Sequence, residues 1–129
     1  MVRYILFVLL LPLGAAFAYE PERAVNNLAH ELAECACFYL LSSKLIQSQK
    51  PELAEQSNQA AVSALAYSKA LTSETLTRAR TEMAIKSMLK EIDNDAVNYS
   101  ILLNKYADQC GETVADPVTR MDYWNKKQD

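Results

Sequence analysis

The sequence predicts an all-α protein. Three observations carry this. Over most of residues 21–125 apolar side chains recur every three to four positions, the spacing of one helix face. No run alternates apolar and polar residues with period two, as a half-buried strand would. The periodic stretches begin at residues that favour helix starts: Pro51, Ser73 and the pair Asp116-Pro117.

The N-terminal stretch "MVRYILFVLLLPLGAAFAYE" stands apart. Arg3 supplies a positive start, Tyr4 to Phe17 is almost wholly apolar, and Ala16-Phe17-Ala18 fits the small-x-small cleavage rule. Residues 1–18 are therefore expected to be a signal peptide, with a mature chain from Tyr19. The competing reading is an uncleaved anchor, but the apolar run falls short of the ~20 residues a spanning helix needs. No cysteine follows the cleavage site directly, which argues against a lipoprotein. Residues 19–129 then make a single helical domain, with no membrane span in the mature form and an expected location in the periplasm or outside the cell.

The first helix is expected over about 21–48, on Val25, Leu28, Leu32, Cys35, Tyr39 and Ile46. Lys50-Pro51-Glu52 interrupts it, and Pro51 suits the first turn of a second helix over about 51–72, where its missing N–H is no loss. That helix carries Ala54, Ala60, Ala61, Ala64, Ala66 and Ala70, which serve either close helix approach or simple helix propensity. Ser73 is a candidate N-cap for a third helix, about 74–92. The stripe Ile85, Leu89, Ile92, Ala96, Tyr99, Leu103, Tyr106 and Cys110 continues helical spacing through a fourth, about 94–110, where Gly111 fits a left-handed terminator. Asp116-Pro117 opens a short fifth helix, about 117–125, with Val118, Met121 and Trp124 on one side, and the tail "NKKQD" is expected to fray.

Charge and glycine content exclude whole classes of function. Thirteen Lys and Arg stand against 16 Asp and Glu, a formal net charge of −3, with no basic stripe for a nucleic acid. Beyond the leader Gly111 is the one glycine, too few for a phosphate-cradling loop or a dinucleotide turn.

The three cysteines carry most of the remaining information. A helix turns by about 100° per residue, so Cys35 and Cys37 point to opposite sides and do not clamp one metal. Cys35 is in phase with the apolar stripe of the first helix and Cys110 with that of the fourth. An exported chain meets oxidising conditions, so a Cys35–Cys110 disulfide is expected. This pairing requires the chain to reverse between Ser73 and Cys110. A straight helix would carry Cys110 about 55 Å from its start, against about 20 Å for Cys35 along the first helix. Asp93, Asn94 and Asp95, poor in helix interiors, supply the break. The result is a four-helix up-down-up-down bundle with a short C-terminal helix, stapled by the disulfide. Cys37 falls towards the polar side of the first helix, on the face of His30 and Glu34, and has three readings: a free, partly buried thiol, an intermolecular disulfide making a homodimer, or a partner for Cys110 in place of Cys35.

Catalytic chemistry is hard to build from what remains. "HELAE" has the outline of a zinc-protease helix but lacks the second histidine, since His30 is the only one in the chain. His30, Glu34 and Cys37 form a weak metal candidate at best, because Zn²⁺ takes three or four well-placed ligands, so no metal or other cofactor is assigned. Asp93, Asp95, Asp108, Glu112 and Asp116 read as caps and solvated turns, without the glycine and distal glutamate of a calcium loop. Tyr39, Tyr67, Tyr99 and Tyr106 read as core residues with a hydroxyl at the rim. Asn98-Tyr99-Ser100 is a formal glycosylation sequon, poorly placed inside a helix.

At "AECACFYLL" and "LLNKYADQCGETVADPVTR" the chain resembles small exported bacterial proteins of uncharacterised function, which carry an early Glu-Cys-Ala-x-aromatic run and a late Lys-Tyr…Cys…Asp-Pro run. The resemblance covers these two short patches. It implies that Cys35 and Cys110 match the recurring pair and that Cys37 departs from it, and it brings no activity. In general architecture the chain is also similar to small helical periplasmic immunity proteins. The expected function is a non-catalytic periplasmic protein-interaction module of adaptor, inhibitor or immunity type, with another envelope protein as partner. The alternative is a bundle that binds a small ligand or metal.

Overall fold

The computed structural model describes residues 20–127; the expected signal peptide, residues 1–18, lies outside them. Among the described residues there are five α-helices and no strand: α1 Pro21–Ile46, α2 Pro51–Leu71, α3 Glu74–Glu91, α4 Ser100–Ala115 and α5 Pro117–Lys126, with a 3-10 turn at Ala96–Asn98 between α3 and α4. The all-α fold and the Cys35–Cys110 disulfide are both present.

The starts of three helices follow from single residues. Pro51 and Pro117 occupy the first turns of α2 and α5, where a missing N–H leaves no gap. Ser73 Oγ accepts from the Leu76 N–H at 3.1 Å, and Asp116 Oδ1 accepts from the Thr119 N–H at 3.1 Å.

The helix ends differ from expectation at two places. Gly111 does not end α4: its φ is not positive, and the helix runs on to Ala115. The reason is packing. Leu102, Tyr106 and Cys110 are buried, and Thr113 continues that face one turn later, so the helix gains by continuing. The left-handed positions lie instead at Asp93 (φ 53°) and Asn94 (φ 54°). The Asp93 N–H reaches the Lys90 carbonyl and the Asn94 N–H the Leu89 carbonyl at 2.8 Å, the paired closure of a Schellman motif. The chain does break in the Asp93–Asp95 segment, but its first two residues terminate α3. Asp95 then caps the 3-10 turn through the Val97 N–H, and α4 starts only at Ser100, later than expected. Within the tail expected to fray, Asn125 and Lys126 are helical.

α1 is the central helix and packs against each of the other four. Between Leu28 and Ser42 most of its side chains are buried, because several helices cover it, while His30 and Leu40 remain exposed and Glu31, Glu34 and Tyr39 partly so. α2 folds back along it on a seam of small residues. Ala54, Ala61, Ala64 and Ser68 are buried, while Ala66 and Ala70 face solvent, so three of the alanines serve close approach and two serve propensity alone. The approach is close enough for Ser68 Oγ to donate to the backbone carbonyl of Ala29 at 2.8 Å.

α3 and α4 close the main core on another side of α1. Phe38, Leu41, Met88, Ile92, Leu102, Tyr106 and the disulfide form one cluster. Cys35 and Cys110 have Cα atoms 5.3 Å apart, inside the usual range. Near the start of α4, the Tyr99 hydroxyl bonds the buried Ser42 hydroxyl.

Candidate functional site

The residues singled out from sequence do not meet in one place. Cys35 is 2% exposed and joined to Cys110. Cys37, about 200° round the helix, is equally buried and free. It is not on a polar face: its Sγ donates to the Thr81 carbonyl of α3 at 3.3 Å. Burial, and then the nearby Glu34 carboxylate, push its pKa up from the ordinary 9.0 to about 11. A link to a second chain through this sulfur requires α1 and α3 to separate.

The His30 side chain is 54% exposed, and its Nε2 lies 3.8 Å from Glu34 Oε2. The structure thus brings His30 and Glu34 together but turns Cys37 toward α3. Among the described residues no three His, Cys, Asp or Glu side chains gather to hold a metal ion. Glu34 is partly buried, and that burial raises its pKa against the attraction of His30 and Lys105. Asn98 of the sequon donates its side-chain amide to the Ile92 carbonyl at 3.0 Å, so its nitrogen is engaged.

Two carboxylates act as structural nodes. Glu31 on α1 accepts from Arg120 Nε at 2.8 Å, from Arg120 Nη2, from Trp124 Nε1 at 2.9 Å and from Gln109 Nε2 at 3.3 Å. It joins α1, α4 and α5 in a forked ion pair. Glu91 at the end of α3 accepts from Lys105 Nζ at 2.9 Å and the Tyr106 hydroxyl at 3.0 Å. Burial disfavours its charge, but the hydrogen bonds from Lys105, Tyr106 and Ser87 together outweigh this and hold its pKa below the usual carboxylate value.

The site with unspent chemistry is a cleft of about 380 Å³ in the angle between α4 and α5. It is lined by Glu112, Thr113 and Ala115 of α4, Asp116 at the corner, and Thr119, Arg120 and Tyr123 of α5. Asp116 accepts from the Thr119 hydroxyl at 2.7 Å as well as from its N–H, and these bonds lower its pKa. The Arg120 guanidinium lies 4.1 Å from the centre of the Tyr123 ring. Thr113 is 1% exposed, and its Oγ1 is buried without a hydrogen-bond partner.

Sequence reasoning placed Glu112 and Asp116 at helix ends but missed Thr113, Arg120 and Tyr123. Thr113 follows Cys110 at helical spacing. It would have been found had α4 not been ended at Gly111. Nothing in the sequence marks Arg120 or Tyr123.

The described residues form a disulfide-clamped fold in which four helices pack on a central fifth, α1. No family model, curated protein or solved structure matches the chain.

Proposed function

We propose that this is a non-catalytic exported protein that binds another protein of the cell envelope. The reading rests on how the side chains are spent. Glu31, Glu91 and Arg120 are committed to joining helices, and two of the three cysteines to a buried staple. Large apolar side chains meanwhile stand in solvent: Val62, Met83, Val97 and Val118 are 60–85% exposed. Leu76 and Met83 lie two turns apart on one face of α3, and Leu53 and Tyr67 share a face of α2. Apolar helix faces of this kind are what a partner helix or sheet covers. The leader-like N-terminus and the likeness to small exported bacterial proteins support the envelope as the place.

The test places a photo-crosslinking residue in turn at 62, 67, 83 and 97 in the exported protein in its own cells. The expected result is one adduct of constant mass from a subset of these positions, competed away by excess unlabelled protein and starting at Tyr19 on the bait side. Adducts that vary randomly with position, or none at any of the four, would overturn the reading.

A further inference from the structure

The native disulfide joins the first and third cysteines of the chain and skips the second. Cys35 pairs with Cys110 across 75 positions, while Cys37, next but one to Cys35, stays a thiol. In the unfolded chain the order of contact is the reverse. Cys35 and Cys37 are made before Cys110 and meet far more often: by loop length alone the short closure is favoured about a hundredfold, and the stiffness of so small a ring returns only part of that factor. Loop length also fails to choose between Cys35 and Cys37 as the final partner of Cys110, since the two loops are almost equally long.

The helix makes that choice. Cys35 and Cys37 both lie inside α1, about 200° apart, and side chains that point apart are not bridged unless the backbone moves. Cys35 faces α4 and meets Cys110 there, with the Cα atoms 5.3 Å apart. Cys37 faces α3, where its Sγ donates to the Thr81 carbonyl at 3.3 Å. A Cys35–Cys37 bond therefore suits the unfolded chain and conflicts with a folded α1 that has α3 docked on it. A disulfide that folding puts under strain is the labile kind, open to attack by a third thiol. Burial, which with the nearby Glu34 carboxylate raises the Cys37 pKa to about 11, then keeps the released sulfur protonated and unreactive.

We propose that the staple is installed by a relay within the chain: Cys35 and Cys37 are oxidised first, and folding of α1 passes the bond on to Cys110. In the first step a disulfide-bearing oxidant is reduced to two thiols while the Cys35 and Cys37 thiols give up their protons and join. In the second the Cys110 thiolate, its proton lost to solvent, attacks Cys35 Sγ. The Cys35–Cys110 bond forms, the Cys35–Cys37 bond breaks, and Cys37 leaves as a thiolate that takes a proton from solvent before α3 covers it. This second step is an exchange with no net oxidation. Cys37 is thus a leaving group that stays in the fold after its use.

The experiment is oxidative refolding. The exported chain is reduced, unfolded in urea and diluted into oxidised glutathione at about pH 8, where thiols exchange readily. Samples are quenched with N-ethylmaleimide at intervals and cut with trypsin, which puts Cys35 and Cys37 together on residues 24–44 and Cys110 on residues 106–120. The 24–44 peptide is expected first unlinked and lighter by its two thiol hydrogens, and then linked through Cys35 to 106–120. Cys37→Ser and Cys37→Ala are both expected to form the staple at least about fivefold more slowly, yet to reach the parent's helix content once stapled, which separates a lost relay from a lost fold. Cys110→Ser, which has no attacking thiol, is expected to stall with Cys35 joined to Cys37, a result that needs no folded variant. The proposal falls if the Cys37 variants form the staple as fast as the parent, or faster, which would make the Cys35–Cys37 bond a trap off the pathway. It falls equally if Cys110→Ser collects only glutathione adducts. No envelope partner enters the measurement, so its outcome is independent of the interaction reading above.

Discussion

The Glu31 carboxylate accepts from three side chains on two other helices, and Arg120 and Trp124 among them are what tie α5 to α1. Removing its charge leaves the half-buried Arg120 guanidinium without its counter-ion. Glu31→Gln should therefore destabilise the protein by about 2–4 kcal/mol, read by urea denaturation. Hydrogen exchange should show α5 losing protection before α1 does. An unchanged α5 would mean that its apolar contacts hold it without the node. Cys37 gives a second prediction at this scale. Its folded pKa, about 11, lies above the ordinary 9.0, so the native state holds the thiol proton more tightly than the unfolded chain. That contribution is fully present below pH 9 and is lost as pH rises from 9 to 11. At pH 8 the thiol is protonated and shielded, so iodoacetamide should leave the native protein unlabelled and modify one cysteine per chain in urea without reductant. Rapid native labelling would show that α1 and α3 part readily.

At the scale of elements, the α1–α2 seam offers the sharpest contrast between two identical changes. Ala64 is fully buried against α1, and Ala66 is exposed on the same helix. Ala64→Leu should cost about 1–3 kcal/mol by wedging the helices apart, while Ala66→Leu should leave the thermal midpoint almost unchanged. Equal effects would mean that the alanines act through propensity alone. The turn after α3 gives the opposite sign. Asp93 and Asn94 hold positive φ angles that glycine adopts freely, so Asn94→Gly should stabilise by about 0.5–1 kcal/mol and Asn94→Val should destabilise, both read by thermal melting. What the sequence made legible follows the same line. Helix starts were readable because Pro51, Ser73 and Asp116 act on their own first turns. The end of α4 was not, because whether a helix passes a glycine depends on what lies beyond it, here the burial of Thr113. The phase of Cys37 was readable but its environment was not: a position off one apolar stripe is solvent-exposed only if no other helix covers it, and α3 does. The cleft at α4–α5 is set by how two helices meet, which no local pattern encodes.

The whole molecule is held by its central helix, and the disulfide fixes one of the four helices packed on it. Cys35 and Cys110 are 75 residues apart in sequence. Closing a loop of this length removes enough freedom from the unfolded chain to be worth about 4–5 kcal/mol in the chain-entropy picture, comparable to the whole stability of many small domains. Replacing both with alanine avoids a stray thiol and should lower stability by about that amount, read as a fall in the urea midpoint with the slope changed by a more expanded unfolded state. The loss belongs mainly to the unfolded chain, so circular dichroism at low temperature should still show the same helix content. The sulfurs themselves are 1–2% exposed, so dithiothreitol should not reduce the native protein at an appreciable rate until urea opens it. If reduction is instead fast in native buffer, α4 separates from α1 while the rest stays folded. The protein would then open at the face that also carries Glu91, Lys105 and Tyr106, and hydrogen exchange in α4 should rise with it.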